Sequence, residues 1–217
     1  MSLIQHYDFS SGSGDTVTDQ SGNGNDGTLY DESYWTWIDG KNIIYTEYGD
    51  QIDFPAINTF IDGQAFSCSF YFKTDGWDDS YDTGLLRTLN ANEDHVRYSI
   101  TPSGELVFQE GLSEWLRSNT AIEDATWYHA VFTYDPSTPE GKMYLDSNED
   151  ANKFDSLSLS QTHDDTNQIG RSMERYTGYL SDIRFYDHAL TDTEIDNLYN
   201  SFPKYKDSID SASGTSN

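Results

Sequence analysis

The 217-residue chain carries 12 basic against 38 acidic residues, a formal net charge of −26 and a pI near 4.1. That balance excludes nucleic acid and an anionic membrane surface as partners, because both would be repelled. The sequence has no apolar stretch long enough to cross a bilayer, and the single Cys68 excludes an internal disulfide framework.

The length suits one β-sandwich domain with a tail. A 15% aromatic content argues against disorder outside that tail and predicts a core of Tyr, Phe and Trp. Asp outnumbers Glu by 27 to 11 and only six Lys remain, so the excess consists of short, strongly hydrated carboxylates. This is the expected pattern for a protein adapted to molar salt, where screening removes self-repulsion. An ordinary acidic extracellular domain with several calcium loops is the alternative.

In chain order, Met1-Ser-Leu-Ile-Gln-His-Tyr7 lacks the basic and apolar regions of a signal peptide. Short runs with β alternation then recur at Leu3 to Phe9, Gln51 to Phe54, Ala65 to Lys73, Leu85 to Leu89 and Val96 to Thr101, and again at Glu105 to Gln109, Trp127 to Tyr134, Lys142 to Asp146, Gln168 to Arg171 and Gly178 to Tyr186. Cys68 lies within the third run and reads as a small buried side chain. Pro and Gly in Thr101-Pro-Ser-Gly104 and in Asp135 to Gly141 mark chain reversals. The last run leads into the one convincing helix. Thr191 and Glu194 form a capping box there, and Ile195, Leu198 and Tyr199 supply a short apolar stripe. Strands without interleaved helices predict an all-β, two-sheet antiparallel sandwich with one short C-terminal helix. Residues 1–200 form the domain, and the Ser-rich residues 201–217 read as a flexible tail or linker.

The segment Asp19-Gln-Ser-Gly-Asn-Gly-Asn-Asp-Gly-Thr28 holds three glycines and two asparagines, so its backbone can curl and turn carbonyls inward. Asp19, Asn23, Asn25 and Asp26 add side-chain oxygens of the kind calcium requires, although a plain Asx/Gly turn has the same composition. Asp182 interrupts the last strand where an apolar residue is expected. Its carboxylate either faces solvent or is held by a cation.

Four segments together resemble the laminin-G-like jelly rolls of the concanavalin A-like lectin/glucanase superfamily: the Asp19–Thr28 loop, Ala65 to Thr74, Trp127 to Asp135 with Gly141 to Asp146, and Tyr176 to Asn200. The resemblance spans Leu3 to Asn200. It implies a structural calcium pinning the N-terminal loop to the last strand, with Asp19 and Asp182 as the firmest ligands and Asn23 and Asn25 next. The central hairpin departs from the family's Asp-Gly closure and reads Asp146-Ser147.

The superfamily includes glycosidases, whose retaining members need two carboxylates about 5 to 5.5 Å apart. No such strand pair emerges. Glu194 and Asp196 fall on the helix, Asp78-Asp79 and Asp164-Asp165 read as solvated turn residues, and the five His are scattered. The expected function is therefore non-catalytic, a calcium-stabilised lectin-like adhesion module from a halophile or its virus. A surface glycan or glycoprotein is its partner, and the setting is extracellular or a virion surface, without direct membrane insertion. Trp35, Trp37, Trp77, Trp115 and Tyr176 lie in or beside loops as possible sugar platforms, and Trp77 is favoured because its neighbours are polar. Core packing competes for each of them. A structural virion decoration, fibre or turret domain binding other protein subunits is the rival reading, and a glycoside hydrolase ranks third.

Overall fold

The computed structural model describes residues 2–30, 34–38, 41–47, 51–55, 64–77, 80–89, 95–110, 113–138, 140–153, 166–170 and 176–201. The strands run β1 (Leu3–Tyr7), β2 (Thr16–Val17), β3 (Gly27–Tyr30), β4 (Tyr34–Ile38), β5 (Lys41–Thr46), β6 (Gln51–Pro55), β7 (Phe66–Thr74), β8 (Thr83–Leu89) and β9 (His95–Ile100). They continue as β10 (Glu105–Glu110), β11 (Ser113–Ala121), β12 (Trp127–Asp135), β13 (Glu140–Leu145), β14 (Asn148–Glu149), β15 (Asn152–Lys153), β16 (Thr166–Gly170) and β17 (Gly178–Tyr186), followed by helix α1 (Asp192–Ser201).

Two antiparallel sheets form a sandwich. The first has the order β14-β13-β12-β7-β17-β5-β4, with β1 also paired to β17, and the second has the order β15-β11-β10-β9-β8-β16-β6-β3-β2. Period-two alternation puts Phe66, Cys68, Phe70 and Phe72 of β7 into the core, while Ser67, Ser69, Tyr71 and Lys73 face the other way. Rings then meet across the sandwich. Phe108 stacks on Phe132 at 3.6 Å between centroids, Tyr7 on Phe54 at 4.1 Å, and Tyr98 meets Phe70 edge-on at 5.4 Å. Each such ring contributes roughly 2–3 kcal/mol of burial, so this aromatic layer dominates cohesion.

Helix α1 lies on the outer face of the first sheet. Ile195 is buried beside Val131, Tyr144, Tyr186 and Leu190. Thr191 and Glu194 close the expected capping box, each accepting from the other's backbone N–H. At the far end the Tyr71 hydroxyl donates to the Leu198 and Tyr199 carbonyls, which helix geometry leaves without partners. Gly178 opens β17 where only glycine fits, because a Cβ there would collide with the Lys73 carbonyl.

Strand β17 changes neighbours midway. Residues 178–180 pair with β5 and residues 183–186 with β1, and its register against β7 shifts between Ser181 and Arg184. Asp182 sits in that irregularity with φ of 51°, a left-handed conformation that Asp tolerates better than most residues.

Candidate functional site

The loop after β1 is organised by one carboxylate. Asp19, 7% exposed, accepts from the backbone N–H groups of His6, Ser21 and Asn25 and from the Ser21 hydroxyl, at 2.8 to 3.0 Å. Burial pushes its carboxyl up, but these hydrogen bonds outweigh that and hold it below the usual carboxylate range. Asn23 and Asn25 turn their amide nitrogens onto the Ile4 carbonyl, and Asn23 also reaches that of Leu3. The Asn25 carbonyl accepts from the Tyr7 hydroxyl, and Asp26 accepts from the Asp19 N–H. The loop is thereby laced to β1.

Asp182 approaches the same strand from its other side. Its Oδ1 takes His6 Nε2 at 2.6 Å and both Nε and Nη2 of Arg184 at 3.0 Å. Burial raises the Asp182 carboxyl, and the His6 hydrogen bond with the Arg184 charge brings it below the usual range. His6 thus links the two acids singled out in the sequence, its backbone N–H on Asp19 and its ring on Asp182.

These positions do not present the six to eight converging oxygens that calcium takes. Asp19 is saturated by N–H and O–H donors, Asp182 is met by nitrogen donors, and the two asparagines point nitrogens at carbonyls. Among the described residues no group of three or more His, Cys, Asp or Glu gathers as a metal site. The donor set fits a hydrogen-bonded clasp and not a cation cage.

The aromatic positions divide. Tyr176 is 1% exposed and its hydroxyl donates to the Lys73 and Tyr179 carbonyls, so it is a core residue with no face to offer. Trp35 packs on the core, edge-on to Phe9, with its indole N–H on the Gly14 carbonyl. Trp77 is half-buried against the same core and lies beside Gly104. The backbone of Trp115 belongs to β11 while its side chain lies outside the described set, as do Asp78, Asp79, Asp164 and Asp165. Among the described residues the large exposed rings are Trp37 at 66%, Tyr81 at 62% and Tyr30 at 48%.

The outer face of the second sheet carries what the sequence pattern did not disclose. Leu86, Tyr98, Phe108 and Ile169 point to the core, so Arg87, Arg97, Gln109 and Gln168 in the alternate positions point away from it. Register puts Gln168 opposite Arg87, Arg87 opposite Arg97, and Arg97 opposite Gln109. Ser99, opposite Val107, and Arg117, also opposite Val107, fall in the next row. Arg87 donates through Nε and Nη2 to Gln168 Oε1 at 3.0 and 2.6 Å, and Arg97 donates through Nη2 to Asp82 at 3.2 Å. Ser99 is 0% exposed, Gln109 3%, Arg87 5% and Gln168 7%. The row is largely shielded from water although it faces away from the core, and the Arg97 side chain is its partly accessible member. The readable signal was its scarcity, since three of the chain's six arginines fall at alternate positions of three strands.

By contrast, the pair formed by Ser69 and His129, 2.8 Å apart, is fully buried beneath α1. Inaccessibility makes it a packing element, not a nucleophile and base.

A family model described as the concanavalin A-like lectin/glucanases superfamily matches residues 46–196. No curated protein sequence matches the chain. Among solved structures, domain 4 of the extracellular arabinanase AbnA from Geobacillus stearothermophilus, in complex with arabinotriose, is 18% identical with a TM-score of 0.72, covering 91% of this chain and 98% of that one. The binding domain of botulinum neurotoxin DC, in complex with rat synaptotagmin II, is 16% identical with a TM-score of 0.74, covering 94% and 52%. Trypanosoma rangeli sialidase, in complex with 2,3-difluorosialic acid, is 16% identical with a TM-score of 0.70, covering 92% and 33%. This chain therefore spans about half of the toxin binding domain and a third of the sialidase.

Proposed function

Because the chain belongs to the concanavalin A-like lectin/glucanase superfamily, we propose that it is a non-catalytic binding module whose ligand is a surface glycan or the glycan of a glycoprotein. The observation that carries this reading is the row of Arg and Gln on the outer face of the second sheet, where the Arg97 side chain is partly accessible. Guanidinium and amide groups recognise hydroxyl and carboxyl oxygens, and they do so best where water is partly excluded. Tyr30 lies on the same face, on β3, three strand spacings across and two residues along from Arg87, about 16 Å. An exposed ring at that distance is suited to stacking against a second sugar.

The engagement of the described carboxylates supports the non-catalytic reading. Asp19 and Asp182 are consumed by structural hydrogen bonds, and on the outer face of the second sheet Asp53 accepts from Gln51 while Glu105 pairs with Arg117, which speaks against a free general acid and nucleophile there. The likeness to toxin and arabinanase domains whose structures were solved with a bound protein or sugar supports a binding role. The acidic surface extends the reading to a high-salt, extracellular setting, on a cell or on a virion.

A glycan array followed by calorimetry in 1 M NaCl tests the function, with reducing-sugar release measured in parallel. We expect saturable binding to at least one glycan class and no release of reducing ends. Turnover of a polysaccharide would overturn the non-catalytic reading, and silence across the array would overturn the glycan reading.

A further inference from the structure

The ends of the two sheets differ in how they are closed to further pairing. A strand at a sheet end offers unpaired N–H and C=O groups to any extended segment, and proteins blunt such ends by shortening, charging, bulging or covering them. Strands β14, β15 and β2, which end the sheets, are two residues long. The five-residue β1 is covered by the Asp19 loop, whose Gln20 N–H donates to the His6 carbonyl and whose Asn23 and Asn25 amides reach the Leu3 and Ile4 carbonyls. Strand β4 is the exception. Its five residues, Tyr34-Trp35-Thr36-Trp37-Ile38, carry no charge and no proline, and they run against β5 without a register shift. Among the described residues β5 is its sole strand partner, and it bears Trp37, 66% exposed.

We propose that β4 is the pairing edge of a homodimer, adding antiparallel to β4 of a second copy with the two-fold axis at Thr36. The strand is self-complementary in that register. Thr36 meets its own counterpart, and Trp37 of each copy falls opposite Trp35 of the other on one face of the joined sheet. Trp35 already lies edge-on to Phe9 on that face, while Trp37, two residues on, projects largely uncovered. Cross-strand aromatic pairs of this kind are what stabilise an antiparallel ladder, and a second copy supplies both of them where an arbitrary strand would satisfy only the backbone. Charge permits the approach as well. In a chain of net charge −26, β4 brings no carboxylate of its own to the ladder, so the opposing term is long-range repulsion, which 1 M salt confines to a Debye length of about 3 Å. Covering two Trp37 rings removes roughly 300 Å² from water. With the backbone ladder added, the contact falls short of the ~1,200 Å² of a stable complex, so the dimer is weak and salt-dependent rather than obligate.

Sedimentation equilibrium in 1 M NaCl, from about 5 to about 500 µM chain, tests the proposal. We expect a reversible monomer–dimer equilibrium with Kd on the order of 10–100 µM, at least tenfold weaker in 0.1 M NaCl. Thr36→Lys, which sets two like charges opposite each other at the axis, should weaken association at least tenfold, and Trp37→Ala should do the same with little change in melting temperature because the ring is exposed in the monomer. Residues facing each other across such a ladder have Cβ atoms about 4.5–5.5 Å apart, so oxidation of Thr36→Cys with diamide should give a disulfide-linked dimer, and the buried Cys68 should not compete. The same treatment of Ser137→Cys, at an exposed turn position, should give only background. Should Thr36→Lys not fold, the disulfide comparison decides alone. A chain that stays monomeric at the highest concentration in 1 M NaCl, undiminished dimerisation by folded Thr36→Lys, or Thr36→Cys linking no better than Ser137→Cys overturns the proposal. None of these outcomes bears on the glycan reading.

Discussion

Asp182 is the residue at which conformation and charge meet. Its backbone is left-handed and its carboxylate lies between an imidazole and a guanidinium. Asparagine tolerates the same φ but removes the charge, so Asp182→Asn isolates the electrostatic part. We expect a loss of about 2–4 kcal/mol, read as a lower urea midpoint with an unchanged slope, because Arg184 stays partly buried without its counter-charge. A midpoint within error of wild type would show the clasp to be incidental. Since Asp19 and Asp182 already hold protein donors, chelation at constant ionic strength should leave the melting temperature unchanged, and a fall of several degrees would return calcium to this loop. That Asp182 needed a partner was legible from its polarity within an apolar strand. Which partner was not, because His6 lies 176 positions away and only the β1–β17 register brings it there.

His129 carries the pH dependence. It is stacked on Tyr71 at 4.4 Å and its pKa falls to about 3, chiefly through burial, which disfavours the charged ring. The unfolded chain takes up this proton near pH 6.5 and the folded chain does not, so the stabilisation is complete above about pH 6.5 and is lost as pH falls towards 3. The expected slope is about 1.4 kcal/mol per pH unit across that window. Asp182 and Asp19, held below their usual range, add losses of the same sign only below about pH 4. Unfolding free energies of a His129→Gln protein should therefore lose the slope between pH 6.5 and 4.5 while keeping the steeper acid limb. A wild-type stability flat across pH 6.5 to 4.5 would refute this assignment.

At the scale of elements, the hairpin between β13 and β14 shows how far local sequence rules carry. Leu145 pairs with Asn148, leaving Asp146 and Ser147 as a two-residue turn with φ of 50° and 63°. Both positive values define the mirror-type turn that suits strand twist, and a second residue other than Gly pays for that conformation. Asp146 has a second role, its Oδ1 accepting from the His129 N–H. Ser147→Gly should therefore raise stability by about 1 kcal/mol in urea titration, whereas Ser147→Val, branched at Cβ, should lower it. If Gly brings no gain, the turn carries less strain than its dihedrals indicate. The strands recognisable in sequence were those with one clean apolar face, such as β7, β12 and β17. Strands β4, β5 and β11 escaped because their mix of aromatic, hydroxyl, amide and charged residues shows no clean apolar alternation. The Arg and Gln row escaped for a related reason. Arg87, Arg97 and Gln168 read singly as surface polar residues, and only sheet register aligns them in one row.

For the molecule as a whole, the net charge of −26 sets the conditions under which the sandwich is stable. The aromatic core is confined between two sheets and does not change with salt, whereas repulsion among the surface carboxylates does. Their mutual energy is screened over about 10 Å at 0.1 M and about 3 Å at 1 M, so most of the unfavourable field disappears within that range. Only 12 basic residues stand against it, and several of those are already committed, Arg184 to Asp182, Lys142 to Glu149 and Arg97 to Asp82. Exposed pairs such as Lys142–Glu149 contribute little and weaken with salt, so they cannot reverse the trend. The melting temperature should rise continuously from 0.1 to 1 M NaCl. A relief of about 2 kcal/mol corresponds to roughly 4–8 °C for a domain of this size. Sodium and potassium chloride should act alike if screening is the cause, while a much stronger effect of sulfate than of chloride would transfer the credit to burial of apolar surface. A melting temperature that is flat or falls across the range would reject salt adaptation and leave the acidity to be explained by the ligand or the partner.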